Sequence, residues 1–218
     1  MSAVTHTRAL ELGCGVHPTP GALHHDRIRH SSHVDVAHDL NNLPWPWQDE
    51  AFELLVALDV MEHLKLDVQA WLDEAWRILR PGGQFYMRLP AHDNPVSYRD
   101  PTHYRFFHEE TFYYWQPDHA LYENYGRFYF AESSRWWDVL SVERGNADPR
   151  YGVGDLYVRL RKRSSAQTQA VPTRLVAQPP GSAEVTVARP EDEHNEALEA
   201  SYALLSHKRF PVQVEVGC

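Results

Sequence analysis

Acidic residues follow three short extended segments near the start of the chain, each where a strand would end. The first segment runs into Glu11–Gly15 (ELGCG), whose two glycines would let a ligand lie against bare backbone. Asp26 follows the second segment, Ala22–His25, and an acid there can hold both hydroxyls of a ribose. In the third, Asp39 can accept from an adenine amino group while the Leu40 N–H reads a ring nitrogen. Each acid alone could equally well cap a loop. Acids at the ends of three successive strands together favour a nucleoside-binding site.

The elements that would position these acids form a βαβ pattern. Apolar runs at Phe52–Leu58 and Gln84–Leu89 flank a helical pattern over Ala70–Leu79, and Pro81-Gly82-Gly83 ends that helix. Strand, helix and strand in this order predict a parallel sheet covered by helices. Two later runs, Trp136–Arg144 and Asp155–Arg163, alternate in polarity and predict an antiparallel hairpin at a sheet edge with one face in water.

Several of these segments together resemble the class I S-adenosylmethionine (SAM)-dependent methyltransferases, and more closely the methyltransferase type 11 group. The resemblance spans roughly residues 8–163. It implies an α/β fold with a Rossmann-like sheet of about seven strands, mostly parallel, with an antiparallel C-terminal hairpin and flanking helices. The matching segments are LELGCG (Leu10–Gly15), Asp26, HDLNNLPWPWQDEAFELLVALDVMEHL (His38–Leu64), LDEAWRILRPGGQFYMRLP (Leu72–Pro90) and DPTHYRFF (Asp100–Phe107).

The resemblance implies that SAM binds, and S-adenosylhomocysteine (SAH) leaves, along the ends of the first four strands. The glycine loop would surround the methionine part, Asp26 would bind the ribose, and Asp39 with Leu40 would read adenine. Leu58 and Asp59 would face the methionyl amino group and the sulfonium. The residues implied for the cofactor are Glu11, Gly13, Cys14, Gly15, Asp26, Asp39, Leu40, Leu58 and Asp59.

The chain departs from the family after the second glycine. Val16–Gly21 (VHPTPG) contains two prolines, which forbid a regular helix, and the interval from Glu11 to Asp26 is too short for a full crossover helix. We therefore expect the first helix to be reduced to a proline-braced loop. This change removes the helix N-terminus that ordinarily contacts the methionine carboxylate.

Groups that could act on a methyl acceptor follow the last parallel strand. A hydroxyl acceptor needs a base to remove its proton, and His103 is the predicted catalytic base. The alternative is a structural lid, in which Phe106 and Phe107 pack on the core and Asp100 pairs with Arg105. The candidates in this region are His92, Asp93, Asp100, His103, Arg105 and His108.

Composition limits the partners. The formal net charge of −9 disfavours binding of nucleic acid through bulk electrostatics, so a small-molecule or sugar-type metabolite is the expected acceptor. A nucleic-acid base stays open as an acceptor if a local basic cleft exists. The fourteen histidines match no standard zinc spacing, so no metal is expected. Two cysteines, with no signal peptide or apolar span, predict a cytoplasmic protein away from membranes.

The composition changes near Ser164. Residues 1–163 form the predicted methyltransferase domain, 164–190 a linker rich in Ser, Gln, Ala and Pro, and 191–218 a C-terminal helix with a short strand. The helix carries an apolar stripe of Leu198, Tyr202 and Leu205. It is either marginal in water or an oligomerisation arm buried on a second subunit.

Two other classes of function remain open. The shortened glycine loop is compatible with a SAM-binding module that has lost catalysis and serves as a regulatory partner. A nicotinamide-dependent enzyme of the same fold is disfavoured, because Gly13 and Gly15 lack the third glycine of the GxGxxG fingerprint.

Overall fold

A seven-stranded sheet organises the part of the chain that the structure describes. The structure is a computed structural model and describes residues 8–130, 135–145 and 147–163. The strands are β1 (Ala9–Leu12), β2 (Leu23–Asp26), β3 (Val36–Ala37), β4 (Phe52–Leu58), β5 (Leu79–Pro90), β6 (Trp137–Gly145) and β7 (Asp155–Lys162). Their order in the sheet is β3-β2-β1-β4-β5-β7-β6; the β5–β7 and β7–β6 pairs are antiparallel and the other pairs are parallel. This arrangement confirms the predicted Rossmann-like sheet and its C-terminal hairpin.

The helical elements are short apart from one. Helix α1 spans Val68–Ile78, α2 spans Val96–Arg99 and α3 spans Arg127–Tyr129. Two 3-10 turns cover Met61–His63 and Thr111–Trp115, and a π-helical turn covers Tyr122–Gly126. None of the helices in the described ranges is long and apolar enough to cross a bilayer.

Helix α1 begins two residues before the predicted start because Asp67 caps it. The Asp67 side chain accepts a hydrogen bond from the Ala70 N–H at 3.0 Å, which satisfies one of the free donors of the first turn. The helix ends at Ile78, since Leu79 already has extended backbone and pairs with Phe52 of β4. Trp71, at 0% exposure, is the largest side chain that α1 buries, and its ring meets Phe85 of β5 edge-on.

The sequence places the start of β5 five residues too late. The helix has already ended at Ile78, and Pro81-Gly82-Gly83, expected to end it, lies within the strand. Gly82 has a φ of +78°, which glycine adopts without strain. A Cβ on Gly83 would lie 3.1 Å from the Glu53 carbonyl oxygen, so the backbones of β4 and β5 approach closely there.

The C-terminal hairpin lies at the sheet edge, with β6 outermost. Leu156, Val158 and Leu160 of β7 are buried, as their alternation predicts. The opposite face is not in water as expected: Tyr157, Arg159 and Arg161 are half-buried. Part of the reason is that Arg161 pairs with Asp138 of β6 at 3.0 Å, which holds the arginine against the sheet.

The predicted linker over 164–190 and the predicted helix and strand over 191–218 lie outside the described residues. The proposed oligomerisation arm therefore stays a prediction.

Candidate functional site

The glycine loop after β1 is held against the end of β4. Gly13 and Gly15 both have positive φ, at +66° and +55°. A Cβ on Gly13 would lie 2.5 Å from Cγ2 of Val60, closer than such atoms approach. No atom outside the neighbouring residues lies within 4 Å of the place where a Gly15 Cβ would be. The loop therefore needs glycine at Gly13 for packing and leaves open space at Gly15.

Glu11 stabilises the loop that replaces the expected first helix. Residues 13–22, all described, contain turns and bends without a helix, which confirms the predicted loop. The Glu11 carboxylate is buried, at 2% exposure, and accepts hydrogen bonds from the Thr19 N–H at 2.6 Å and from the Thr19 hydroxyl. Both oxygens of the Glu11 carboxylate are thus hydrogen-bonded within the loop. The methionine part of a cofactor would therefore contact the loop backbone.

Asp26 ends β2 as an ionised carboxylate next to the glycine loop. Oδ2 accepts from the Gly15 N–H at 2.9 Å and Oδ1 from the Arg27 N–H at 2.7 Å. Burial opposes ionisation, but these hydrogen bonds, with one from His30, hold the pKa of the carboxyl below its usual value. The carboxylate is half-buried and connects the predicted ribose position to the predicted methionine position.

Cys14 is a buried, neutral thiol within the loop. Burial raises its pKa to about 11, and the negative charges of Asp26 and Glu11 add to the shift. The thiol therefore packs in the loop and does not act as a nucleophile.

Alkylation tests this state of Cys14. In a Cys218→Ser variant, iodoacetamide should modify native Cys14 at pH 8 at least about 100-fold more slowly than in the urea-unfolded chain, because a pKa about two units higher lowers the thiolate fraction about 100-fold. Mass spectrometry over time measures both rates. Equal rates in the native and unfolded protein would contradict the buried, neutral thiol.

The residues predicted to read adenine follow β3. Asp39 Oδ1 accepts from the backbone N–H of Asn41 at 3.0 Å and from its side-chain amide at 2.9 Å. These bonds, the backbone one first, keep the pKa of Asp39 below its usual value. Leu40 is buried, and its carbonyl accepts from Trp45 Nε1 at 3.0 Å. The turn is therefore rigid and carries an ionised carboxylate at the sheet edge.

Asp59, after β4, has a partner that the sequence did not reveal. Its φ is +57°, and its carboxylate forms a two-pronged ion pair with Arg88 of β5, with Nε 2.8 Å from Oδ1. Leu58 ends the strand beside it and is half-buried. An amino group approaching Asp59 would thus meet a carboxylate already balanced by Arg88.

The DPTHYRFF segment packs over the turn that follows β4. The Tyr104 N–H donates to the Glu62 carbonyl at 2.8 Å, and Phe107 forms a bridge with Ala91 after β5. Phe107 is buried, as the lid alternative expects, but Phe106 is 57% exposed.

The Asp100–Arg105 pair of that alternative does not form, so this expectation is wrong. The reason is that each side chain finds other partners nearby. Asp100 accepts from the N–H and hydroxyl of Thr102. Arg105 donates to the Leu66 carbonyl at 2.7 Å.

His103, within this segment, lies beside His63. Its side chain is 5% exposed, and Nδ1 is 2.8 Å from the Ser97 carbonyl oxygen. The His63 and His103 ring centroids are 4.6 Å apart. Burial, together with His103, lowers the pKa of His63. The structure thus brings the predicted base next to a second, neutral imidazole.

Three other acceptor-side candidates gather in a different place. His92 and His108 have ring centroids 4.7 Å apart and are both exposed. Asp93 is bound by Arg144 at 2.8 Å, and Glu109 shares the same arginine. We therefore interpret His92, Asp93 and His108 as part of an exposed cluster of ion pairs.

Sequence reasoning missed Glu62 as a member of the site. It lies in the 3-10 turn Met61–His63 with 1% exposure. Burial, then the charge of Asp59, raises the pKa of its carboxyl well above the usual value. Asp155 at the start of β7 behaves similarly, with burial raising its pKa to about 6. The only signal for Glu62 is an acid inside an otherwise apolar segment.

Comparisons with known proteins agree with this geometry. Residues 5–87 match the family model described as a methyltransferase domain. No curated protein matches the chain.

The solved structures that are similar to this chain have low sequence identity to it. A protein described as a methyltransferase from Bacillus halodurans C-125 is 13% identical, covering 72% of this chain and 92% of its own, with a TM-score of 0.49. A SAM-dependent methyltransferase from Mesorhizobium loti is 15% identical, covering 74% and 93%, with a TM-score of 0.45. One from Thermotoga maritima is 17% identical, covering 72% and 82%, with a TM-score of 0.46.

The family match covers the glycine loop, Asp26, Asp39 and the first half of the sheet, and the remaining strands complete the sheet order that the resemblance implies. SAM is accordingly the cofactor and SAH the product. Residues 5–87 are therefore similar to a methyltransferase domain, in agreement with the methyl transfer that the sequence resemblance implies.

Proposed function

We propose that the protein transfers the methyl group of SAM to a hydroxyl of a small, sugar-type metabolite. The observation that carries the proposal is a group of polar side chains beyond β4: the buried Glu62 with the partly buried His63 and His103. They follow Asp59, which the family resemblance assigns to the sulfonium end of SAM. Methyl transfer needs an in-line nucleophile, and a hydroxyl becomes one when its proton is accepted or its oxygen is coordinated.

A hydrogen bond selects the tautomer that the neutral His103 ring would adopt. The Ser97 carbonyl can only accept, so the proton of the neutral ring is on Nδ1 and Nε2 keeps its lone pair. Nε2 can then receive a proton or bind a cation. Its nearest charged neighbour is Asp100, whose Oδ2 is 3.9 Å away.

The charges around the site favour a small acceptor over nucleic acid. Arginines that could bind phosphates have other partners: Arg88 pairs with Asp59, Arg105 donates to backbone carbonyls, and Arg144 pairs with Asp93 and Glu109. Phosphate binding depends on free cationic side chains, and the whole chain is acidic.

A test of the acceptor class measures SAH formation by the full chain. We expect SAH to accumulate with hydroxylated small-molecule pools, and not with RNA, DNA or amines. Asp26→Ala should abolish the signal at subsaturating SAM. Turnover only with nucleic acid would overturn the proposal.

One observation favours a second candidate, a SAM-binding module without activity. Residues 13–22 lack the helix whose N-terminus ordinarily meets the methionine carboxylate. This candidate expects SAM and SAH to bind and no SAH to form with any acceptor pool.

A further inference from the structure

Three potential ligands converge under the DPTHYRFF segment. Glu62, His63 and His103 each offer one ligand atom, and these atoms all lie within 4.8 Å of one another. Two come from the turn after β4 and one from the segment that covers it, so the chain assembles the cluster from two separate stretches.

Hydrogen bonds orient both imidazoles in the same way. His103 donates its Nδ1 proton to the Ser97 carbonyl at 2.8 Å. The Thr102 hydroxyl donates its only proton to Asp100 at 2.6 Å, so it must accept from His63 Nδ1 at 2.9 Å. In the neutral form of each ring, Nε2 is therefore the nitrogen that carries the lone pair. Metal-binding histidines are commonly fixed in this manner, with the second nitrogen bonded to a carbonyl or a carboxylate-linked group.

Glu62 provides the independent observation. Its side chain is almost fully buried, and neither carboxylate oxygen has a hydrogen-bond partner. A buried carboxylate without a partner is costly unless it is paired or coordinates a metal.

We propose that Glu62, His63 and His103 bind a divalent transition-metal ion. Two imidazoles and one carboxylate suit Zn²⁺, Co²⁺, Fe²⁺ or Ni²⁺ better than Mg²⁺ or Ca²⁺, which prefer oxygen ligands alone. The cation would give the buried carboxylate its missing partner and use the lone pair of each ring. The metal site would extend the proposed function, because His103 would then be a ligand and the ion would coordinate the acceptor oxygen. This catalytic role rests on the proposed function.

Two other clusters in the described residues lack this combination. His92, His108 and Glu109 are exposed or half-buried, and Glu109 is bound by Arg144. Cys14, His30 and His33 contain a neutral thiol, and His30 contacts Asp26 while His33 contacts the Gly15 carbonyl. The first of these supplies a matched control, since it has similar ligand types at an exposed position.

The test titrates metal-stripped, tag-free full-length protein with Co²⁺ in the absence of SAM and acceptor. We expect one Co²⁺ per chain, visible d–d absorption bands, displacement by Zn²⁺ and a higher melting temperature. Glu62→Gln and His103→Asn should abolish the bands, and His108→Asn should leave them unchanged. Thr102→Val, which removes the partner of His63, should weaken binding about 10-fold.

Folding failure is separated from loss of a ligand by the choice of variant. Glu62→Gln has nearly the same shape and cannot place a charge in the buried site, so the metal-free variant should melt no lower than the metal-free wild type. The proposal is overturned if no Co²⁺ binds, if Glu62→Gln keeps the wild-type spectrum, or if only Mg²⁺ binds. Because neither SAM nor acceptor is present, these outcomes are independent of the proposed reaction.

Discussion

Replacing Asp26 with alanine should weaken SAM binding by about 100-fold. The carboxylate ends β2, is ionised and lies beside the glycine loop, where the family resemblance places the ribose. A hydrogen bond to a charged group contributes about 1.5–3 kcal/mol, and two hydroxyls would bind here. A loss of about 3 kcal/mol corresponds to about 100-fold in Kd. The variant also removes the partner of the Gly15 N–H, which acts in the same direction.

Calorimetric titration with SAM and SAH measures the effect, and neighbouring variants separate its causes. Asp26→Asn keeps a neutral acceptor for Gly15 and should retain more affinity than Asp26→Ala. Asp35→Ala removes another carboxylate that contacts β2, where Oδ2 accepts from the His24 N–H at 2.8 Å, and should change Kd by less than about threefold. An unchanged affinity in Asp26→Ala would exclude the ribose role.

The placement of the residues predicted to bind the cofactor could be read from the sequence because it depends on local order along the chain. Short extended segments locate β2 and β4, and in a parallel sheet the ends of these strands lie at one edge, so the positions of Asp26 and Asp59 follow from strand position alone. The prolines of the first loop likewise predict, from local sequence alone, that no helix forms there.

The acceptor half was not predictable because it depends on contacts between distant segments. Glu62 and His103 meet only when the DPTHYRFF segment folds back over the turn after β4, which no periodicity shows. Arg88 looks like an ordinary polar position in β5, yet it neutralises Asp59. Arg105 has an acid nearby in sequence but binds backbone carbonyls instead, since the end of that turn presents them.

Arg77 of α1 connects the helix to the proline-rich loop that precedes β4. Its guanidinium donates to both Glu74 oxygens, at 2.9 and 2.8 Å, and to Asp49 at 2.8 Å. It also donates to the Trp47 carbonyl at 2.7 Å and the Trp45 carbonyl at 3.0 Å. Glu74 in turn accepts from the Trp45 N–H at 2.8 Å. This network fixes the loop that leads from the Asp39–Leu40 turn to β4.

Arg77→Ala should lower the free energy of unfolding at pH 7 by about 3–5 kcal/mol. Removing one member of a buried ion pair leaves the other charge without compensation, and Glu74 is only 8% exposed. Urea denaturation measures the change. Arg80→Ala is the matched control, because the Arg80–Glu53 pair has side chains 37% and 49% exposed and should contribute less than about 1 kcal/mol.

The pH dependence of that loss tests whether the charge of Glu74 is its source. Burial opposes ionisation of Glu74, but the hydrogen bonds from Arg77 and Trp45 hold its pKa below the usual 4.5. The stabilisation is therefore present above the unfolded pKa and is lost as the pH falls through the lower folded value. The difference between wild type and Arg77→Ala should shrink from pH 7 towards pH 3, while the small Arg80→Ala difference changes little. A loss that is equal at both pH values would instead assign the effect to packing of the arginine side chain.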